Sequence, residues 1–201
     1  CPQPPVPTFP LDLGAPEDED CLHLNIWAPS GTEPGAGKPV MVWVHGGAFV
    51  LGSSSQPLYE GRRLSAEGDV VVVTINYRLG VFGFLDLAGM GTGGEQFDSN
   101  VGLRDVLAAL RWIRDNIAAF GGDPARVTLF GESAGAGIVT ALLAVPQAEG
   151  LFVAAIAQSS PATSVYEHER AQRVTHLVLD HLGIAEADVG QLRDVDVRGL
   201  I

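Results

Sequence analysis

Basic side chains are scarce in this chain, which has 12 lysines and arginines against 24 aspartates and glutamates and a formal net charge of −12. Nucleic-acid binding depends on cationic side chains that neutralise phosphates, and an acidic surface is repelled by anionic lipid headgroups. We therefore expect no nucleic-acid partner and no adhesion to an anionic membrane. A neutral or cationic small molecule would be tolerated better than an anionic one.

The chain also lacks a long uninterrupted apolar run. Its longest candidate, residues 138–157, is broken by Pro146, Gln147, Glu149 and Gly150, whereas a membrane-spanning helix needs about 20 consecutive apolar residues. We predict a helix, a loop and a buried strand over this stretch, and a soluble protein. No targeting peptide is predicted, because the proline-rich start shows no charged segment followed by an apolar one.

Cysteine is nearly absent, with only Cys1 and Cys21. Neither lies at a spacing from histidine that resembles a zinc site. The Gly-rich segment at residues 89–94 lacks the Lys-Ser/Thr ending of a phosphate-binding loop and the strand-turn-helix placement of a dinucleotide fingerprint. We therefore expect neither a metal nor a cofactor.

The residues that are present suffice for one sizeable core, since 46% of the chain is hydrophobic and the mean hydropathy is +0.21. Strand-like runs alternate with helical stretches. This alternation is typical of an α/β fold with a mostly parallel sheet and helices on both faces. The predicted strands are residues 22–27, 40–44, 70–75, 127–130 and 152–158.

The clearest predicted helix covers residues 100–120. Its apolar residues recur at helical spacing and are expected to form one buried face. We interpret Trp112 as a packing residue rather than a substrate contact, and residues 121–124 are predicted to stop the helix. The predicted face consists of Leu103, Leu107, Leu110, Ile113, Ile117 and Phe120.

The pattern Gly131-Glu132-Ser133-Ala134-Gly135 lies between a strand-like run and a helical one. This arrangement is typical of a nucleophile elbow, a strained turn that exposes the serine hydroxyl above the sheet. Its glycines allow neighbouring backbone to approach without Cβ clashes. Because the chain has 25 glycines, the spacing alone can arise by chance, and the context carries the interpretation. Ser133 is the first candidate for a catalytic nucleophile.

A second small-residue loop, His45-Gly46-Gly47-Ala48, follows an apolar strand-like run. Its glycines leave backbone N–H groups free to point at an incoming oxygen, as in an oxyanion hole. Acyl transfer needs such donors beside its nucleophile, because it passes through a tetrahedral oxyanion. The alternative interpretation is a plain turn that ends the strand.

The sequence also contains ordered blocks at residues 19–29 (EDCLHLNIWAP), 43–49 (WVHGGAF), 76–85 (NYRLGVFGFL), 116–124 (NIAAFGGDP) and 130–136 (FGESAGA). Together they resemble the type-B carboxylesterases, which are relatives of cholinesterases. The resemblance covers nearly the whole chain and is strong to about residue 160. It implies an α/β-hydrolase fold, hydrolysis of carboxylic esters and no cofactor.

Position by position, the resemblance makes Ser133 the nucleophile. It gives the backbone N–H groups of Gly47, Ala48 and Ala134 the role of oxyanion-hole donors, with Gly46 shaping the loop. Ala48 stands where a third glycine is commoner in the family. Its methyl group keeps the N–H but narrows the acyl side of the pocket, so bulky substrates are expected to fit less well.

The other two members of a catalytic triad are not identified in this sequence. A serine needs a histidine to take its proton and a carboxylate to orient that histidine, in the chain order Ser, Asp/Glu, His. Glu132 is next to Ser133 and cannot reach the far side of a histidine, so we assign it an electrostatic role. His168, His176 and His181 fall in a helical pattern and are predicted to lie on the surface.

The acidic residues of the tail are likewise interpreted as a solvated helical face. No strand-like run follows residue 158, whereas the triad histidine of this fold comes from a loop beyond late strands. The resemblance places both missing partners beyond this chain. Residues 1–201 are therefore expected to be one partial domain that extends past both ends and is inactive alone. The acidic residues are Glu167, Glu169, Asp180, Glu186, Asp188, Asp194 and Asp196.

The resemblance also matches Cys1 and Cys21 with two cysteines that close an early loop by a disulfide in many family members. Such a bond favours an oxidising, extracellular setting, and the alternative is a pair of reduced thiols in a cytosolic enzyme. Arg78 and Asp105 match a pair that forms a buried salt bridge in the family, and its role is structural.

Two other functional interpretations stay open beside a serine carboxylesterase acting on a small-molecule ester. An adhesion or binding relative without catalysis would keep the same fold, although the retained Ser133 and the predicted oxyanion loop at residues 45–48 argue against it. A lipase or peptidase on the same fold would differ in its chain-length and leaving-group preference, which this sequence does not define.

Overall fold

A single mixed sheet forms the centre of the computed structural model, which describes residues 1–6, 10–90, 97–161 and 165–201. Its strands are β1 (Leu24–Trp27), β2 (Lys38–Val44), β3 (Val71–Ile75), β4 (Gly122–Glu132) and β5 (Ala154–Gln158). They lie in the order β1-β3-β2-β4-β5. Only the pairing of β1 with β3 is antiparallel. The predicted mostly parallel sheet is confirmed, and every predicted strand is present with shifted ends.

The helices lie between and after these strands as α1 (Arg62–Gly68), α2 (Gly80–Phe84), α3 (Val101–Asn116), α4 (Ala134–Leu142) and α5 (His168–Leu182). Short 3₁₀ turns cover Pro57–Tyr59, Ile117–Phe120, Pro146–Ala148, Glu186–Asp194 and Val197–Gly199. The described residues after β5 form no strand, as the sequence predicted.

One face of the sheet carries most of the hydrophobic core. Alternate residues of β2, β3 and β4 point to this face, and the register places them side by side. Helices α3 and α4 cover it with Leu110, Ile113, Val139 and Leu142. Each such buried side chain stabilises the fold by about 1.5–3 kcal/mol relative to an exposed one. The core-facing strand residues are Val40, Val42, Val44, Val71, Val73, Ile75, Val127 and Leu129.

The opposite face of the sheet is covered by α1 and by an aromatic cluster. A Cβ built on Gly61, just before α1, would lie 2.8 Å from Cγ1 of Val72. The ring of Trp43 lies between those of Tyr59 and Phe130, at centroid distances of 5.1 and 4.9 Å. Helices therefore pack on both faces, as predicted.

The predicted buried face of α3 is confirmed for Leu107, Leu110, Ile113 and Ile117, Leu103 is partly buried against the core, and Phe120 is 42% exposed. The α-helix ends at Asn116, and the tighter 3₁₀ turn that follows breaks the 3.6-residue period. Trp112 packs against Phe120 with 6.2 Å between ring centroids. Gly121, at φ 79°, ends the 3₁₀ turn. The prediction that residues 121–124 stop the helix is confirmed, and β4 begins at Gly122, earlier than the predicted strand at residues 127–130.

The interrupted apolar stretch at residues 138–157 contains most of α4, a 3₁₀ turn and most of β5, so the predicted order of helix, loop and strand is confirmed. The prediction of a buried strand was wrong, because β5 is the last strand of the sheet and its residues are exposed. Among the described residues, no helix combines the length and the apolar character that a membrane crossing requires. Residues 91–94 of the Gly-rich segment that was considered for phosphate binding lie outside the described residues.

The predicted disulfide and the predicted salt bridge are both present. Cys1 and Cys21 form a disulfide, and both cysteines are buried. The Arg78 guanidinium donates two hydrogen bonds to the Asp105 carboxylate, at 2.8 and 2.7 Å, and the Arg78 backbone N–H donates a third. The pair is only half buried, because the Asp105 side chain is 6% exposed and that of Arg78 is 41% exposed.

A buried polar pair, His45 and Tyr77, supports the sheet end where β2 stops. The two rings stack at a centroid distance of 4.5 Å, and the Tyr77 hydroxyl donates to the His45 carbonyl oxygen at 2.8 Å. The His45 Nδ1 atom lies 2.8 Å from the Gly46 carbonyl oxygen. Burial lowers the pKa of His45 to about 4 and raises the pKa of Tyr77. Both side chains are therefore neutral at pH 7.

The uneven burial of the salt bridge predicts unequal effects for its two partners. Arg78→Ala leaves a buried carboxylate without its cation and should lower the free energy of unfolding by about 3–5 kcal/mol. Asp105→Asn leaves a cation that water already reaches and should cost about 1–2 kcal/mol. Urea unfolding of both variants measures the difference, and equal losses would contradict this explanation.

The buried neutral His45 predicts a specific loss of stability in acid. Its native pKa lies below its ordinary value of 6.5, so its contribution is present above pH 6.5 and is lost as the pH falls through about 4. Between pH 7 and 4, the wild type should lose about 3 kcal/mol more unfolding free energy than His45→Asn. Urea unfolding at several pH values tests this, with the exposed His181→Asn as a control that should follow the wild type.

Candidate active site

Ser133 occupies a strained turn between β4 and α4. Its φ of 53° and ψ of −123° lie outside the regions that non-glycine residues ordinarily adopt. Its backbone N–H donates to the Gln158 carbonyl oxygen at the end of β5, and its carbonyl oxygen accepts from the Gly137 N–H in α4, both at 2.9 Å. The turn is therefore held from both sides, and its geometry is that of the predicted nucleophile elbow.

Glycines on either side of Ser133 permit a very close backbone approach. A Cβ built on Gly135 would lie 2.1 Å from the Val44 carbonyl oxygen and 2.6 Å from that of His45. A Cβ on Gly131 would lie 2.8 Å from the same Val44 oxygen. The expectation that these glycines prevent Cβ clashes is confirmed, because any side chain at Gly135 would have to displace the end of β2.

The segment after β2, residues 45–52, forms a tight loop that we call the glycine loop. Gly47, Ala48 and Phe49 have φ values of 110°, 54° and 64°. The Gly47 carbonyl oxygen accepts hydrogen bonds from the N–H groups of Val50 and Leu51, at 3.0 and 2.9 Å. A Cβ on Gly47 would lie 2.1 Å from the Leu51 carbonyl oxygen, so only glycine fits there.

The glycine loop lies directly against the elbow. A Cβ built on Gly46 would be 3.2 Å from the Ser133 Cβ and 2.9 Å from Oε2 of Glu132. Gly46 therefore lies where a side chain would meet the elbow, and its role in shaping the loop stays a prediction. The backbone N–H groups of Gly47, Ala48 and Ala134 have no hydrogen-bond acceptor within the described part of the chain.

Glu132 is exposed and places its carboxylate beside Gly46, next to Ser133. Tyr59 lies nearby on the same side of the sheet. Burial, and to a smaller extent the charge of Glu132, raises the pKa of the Tyr59 hydroxyl. Glu132 is thus close to both Ser133 and Tyr59, and its electrostatic role toward Ser133 stays a prediction.

The three tail histidines lie on the exposed surface of α5, as predicted. The Nδ1 atom of His168 is 3.0 Å from an Asp86 carboxylate oxygen, and Nε2 of His176 is 3.5 Å from one of Glu186. None of them forms a hydrogen bond with Ser133 in the part of the chain that the structure describes. The acidic tail residues Glu167, Glu169, Asp180, Glu186, Asp188, Asp194 and Asp196 are also exposed.

Sequence reasoning missed the residues that support the glycine loop from behind. His45 was considered only as part of the His-Gly-Gly pattern, although it is the fully buried base of the loop. Tyr77 lies in the block at residues 76–85, and nothing in its local pattern links it to a residue 32 positions earlier. A polar aromatic residue two positions after the buried strand β3 was the only available signal.

Comparison with known proteins supports the fold and the family. A model of the Carboxylesterase family matches residues 1–196. The para-nitrobenzyl esterase of Bacillus subtilis (strain 168) is 48% identical over 205 residues, which cover 100% of this chain and 40% of that protein. Carboxylesterase 3 of Homo sapiens is 52% identical over 146 residues, covering 73% of this chain and 24% of that protein.

The structural comparison agrees. A solved structure of a PNB esterase has a TM-score of 0.87 and 47% sequence identity, and the match covers 100% of this chain and 40% of that one. The chain thus spans less than half the length of the relatives that it matches. With the elbow and the glycine loop in the same α/β-hydrolase sheet, the chain belongs to the carboxylesterase family.

Proposed function

We propose that the protein hydrolyses carboxylic esters through an acyl-enzyme intermediate on Ser133. The observation that carries this proposal is the elbow: a serine at φ 53° beside a loop in which the N–H groups of Gly47 and Ala48 have no acceptor among the described residues. Strain of this kind costs about 1–3 kcal/mol and is found mostly at functional sites. A turn with only a structural role has no need for a serine in this conformation.

In the proposed reaction, the Ser133 hydroxyl attacks the ester carbonyl carbon and passes its proton to a histidine. The tetrahedral oxyanion accepts hydrogen bonds from the N–H groups of Gly47, Ala48 and Ala134, and one such donor is typically worth about a hundred- to a thousandfold in kcat. The alcohol then leaves with a proton. Water attacks the resulting acyl ester, which releases the acid and restores Ser133.

The histidine and its carboxylate partner are proposed to come from a part of the protein outside residues 1–201. Support comes from the exposed positions of His168, His176 and His181 and from the greater length of the relatives. On this proposal, residues 1–201 are one portion of a larger catalytic domain. They supply the nucleophile and the oxyanion donors, while the other portion supplies the proton transfer.

The proposed substrates are small neutral or cationic esters. The net charge of −12 disfavours anionic ones. The methyl group of Ala48 lies in the glycine loop at the position that would border the acyl group, which favours short acyl chains. The name of one relative, para-nitrobenzyl esterase, is consistent with an aromatic alcohol as leaving group.

A fluorophosphonate probe tests the nucleophile directly. The full-length protein should form one covalent adduct, located at Ser133 by peptide mass spectrometry, and Ser133→Ala should form none. Ser30→Ala, at an exposed serine, should label like the wild type. If the folded wild type does not react under conditions that fully label a known serine esterase, a non-catalytic binding relative becomes the better explanation.

Residues 1–201 expressed alone should hydrolyse p-nitrophenyl acetate no faster than the same segment with Ser133→Ala. Without a histidine to accept its proton, the serine is a weak nucleophile. Spectrophotometric rates for the two segments, measured at equal concentrations, decide the point. Serine-dependent turnover by the segment would contradict the proposal that the triad is completed from outside.

A further inference from the structure

Gln3 is a buried polar residue, 5% exposed, whose whole carboxamide is engaged with backbone. Its Oε1 accepts from the Gly52 N–H at 2.8 Å. Its Nε2 donates to the Gly52 carbonyl oxygen and to the Cys1 carbonyl oxygen, each at 3.1 Å. One side chain thus satisfies both backbone polar groups of a residue 49 positions away.

Gly52 is the point where the two ends of the glycine loop meet. It has a φ of 112°, and a Cβ built on it would lie 2.5 Å from Nδ1 of His45 and 2.8 Å from the Gly46 carbonyl oxygen. No side chain separates the backbone at the end of the loop from the residues at its beginning. A movement of Gly52 therefore moves His45 and Gly46, which lie against the elbow.

The middle of the glycine loop has few other attachments. The Gly47 carbonyl oxygen accepts from Val50 and Leu51 within the loop, and the Phe49 carbonyl oxygen accepts from the Gly80 N–H at 2.8 Å. These bonds shape the turn, but they leave its ends to be fixed elsewhere. The ends are fixed by the Tyr77 hydroxyl on His45 and by Gln3 on Gly52.

We propose that Gln3 is a positioning residue for the oxyanion hole, which holds the N–H groups of Gly47 and Ala48 in place through Gly52. The inference rests on the proposed esterase function. Preorganised donors lose much of their effect when displaced by about 1 Å. The disulfide helps to hold Gln3 in place. It joins Cys1 to Cys21, and the Cys1 carbonyl oxygen accepts a hydrogen bond from Gln3.

The first test replaces Gln3 with methionine, which has a similar length and no hydrogen-bonding amide. In the full-length protein, Gln3→Met should lower kcat for p-nitrophenyl acetate by about 10- to 100-fold and change KM by less than about threefold. Its affinity for a trifluoromethyl ketone, which forms a tetrahedral oxyanion on the serine, should fall by a similar factor. A role in stability alone would lower Tm without this selective loss.

Gln56→Met is the matched control. Gln56 is also a buried glutamine near the loop, 9% exposed, but its Oε1 accepts from the Ser53 N–H at 3.3 Å rather than from the Gly52 N–H. Its kcat should stay within about twofold of the wild type. An equal loss of kcat in both variants would show a general effect of removing buried amides and would overturn the proposal.

Gln3→Glu provides a second, pH-dependent readout that also applies if Gln3→Met does not fold. Its carboxylate keeps an acceptor for the Gly52 N–H but has no proton for the two carbonyl oxygens, and protonation restores one donor. The ratio of its kcat to that of the wild type should rise from pH 8 to pH 6. A kcat equal to that of the wild type throughout this range would overturn the proposal.

The outcomes distinguish a failure of the positioning role of Gln3 from a failure of the proposed esterase function. Wild-type turnover with an unchanged kcat in folded Gln3→Met overturns the role of Gln3 and leaves the esterase function intact. Absence of both turnover and fluorophosphonate labelling in the wild type overturns the esterase function, and the positioning role falls with it.

Discussion

The site depends on the close contact between the end of β2 and the elbow after β4. The two strands are neighbours, and their last paired residues are Val44 and Gly131. From β2 the chain crosses to β3 on one side, and it later returns to place β4 on the other side. This is a topological switch point: the connections that follow β2 and β4 leave the carboxyl edge of the sheet in opposite directions, and a crevice opens between them. Because Gly135 fits against the Val44 carbonyl oxygen, the serine and the glycine loop can share that crevice.

Holding this geometry requires backbone conformations that are unfavourable on their own. Ala48, Phe49 and Ser133 all have positive φ values, and each costs about 1–3 kcal/mol. The strain is offset because the flanking strands are buried on their core face and cannot shift without opening the core. The stacked pair of His45 and Tyr77 adds a rigid polar support where β2 ends. The strain is therefore confined to a few residues at the edge of a stable sheet.

Sequence reasoning succeeded where the signal is local and failed where it is not. The strands were predicted from short β-branched runs and Ser133 from a pattern of five residues. The start of β4 was missed because Gly122 and the following Asp-Pro resemble a turn, although Gly122 pairs with Lys38 of β2 before a register shift that precedes the pair of Val40 and Val127. Phe120 was misplaced because a change to a 3₁₀ turn does not alter the apolar spacing. Gln3 carries no local signal, since its partner Gly52 is far away in the chain.

In the proposed mechanism, the nucleophile and the oxyanion donors come from this part of the chain and the general base from another. This division follows from how precisely each group must be positioned. Oxyanion donors are backbone groups, and they reach a shared point beside Ser133 only if their own strands are neighbours in the sheet. That requirement favours donors and nucleophile from β2 and β4, and Gly46 accordingly lies against Ser133. A general base acts through a side chain that needs only hydrogen-bond reach to the serine hydroxyl. It can come from a distant segment, so the absence of a suitable histidine among the described residues is compatible with a well-formed elbow and glycine loop.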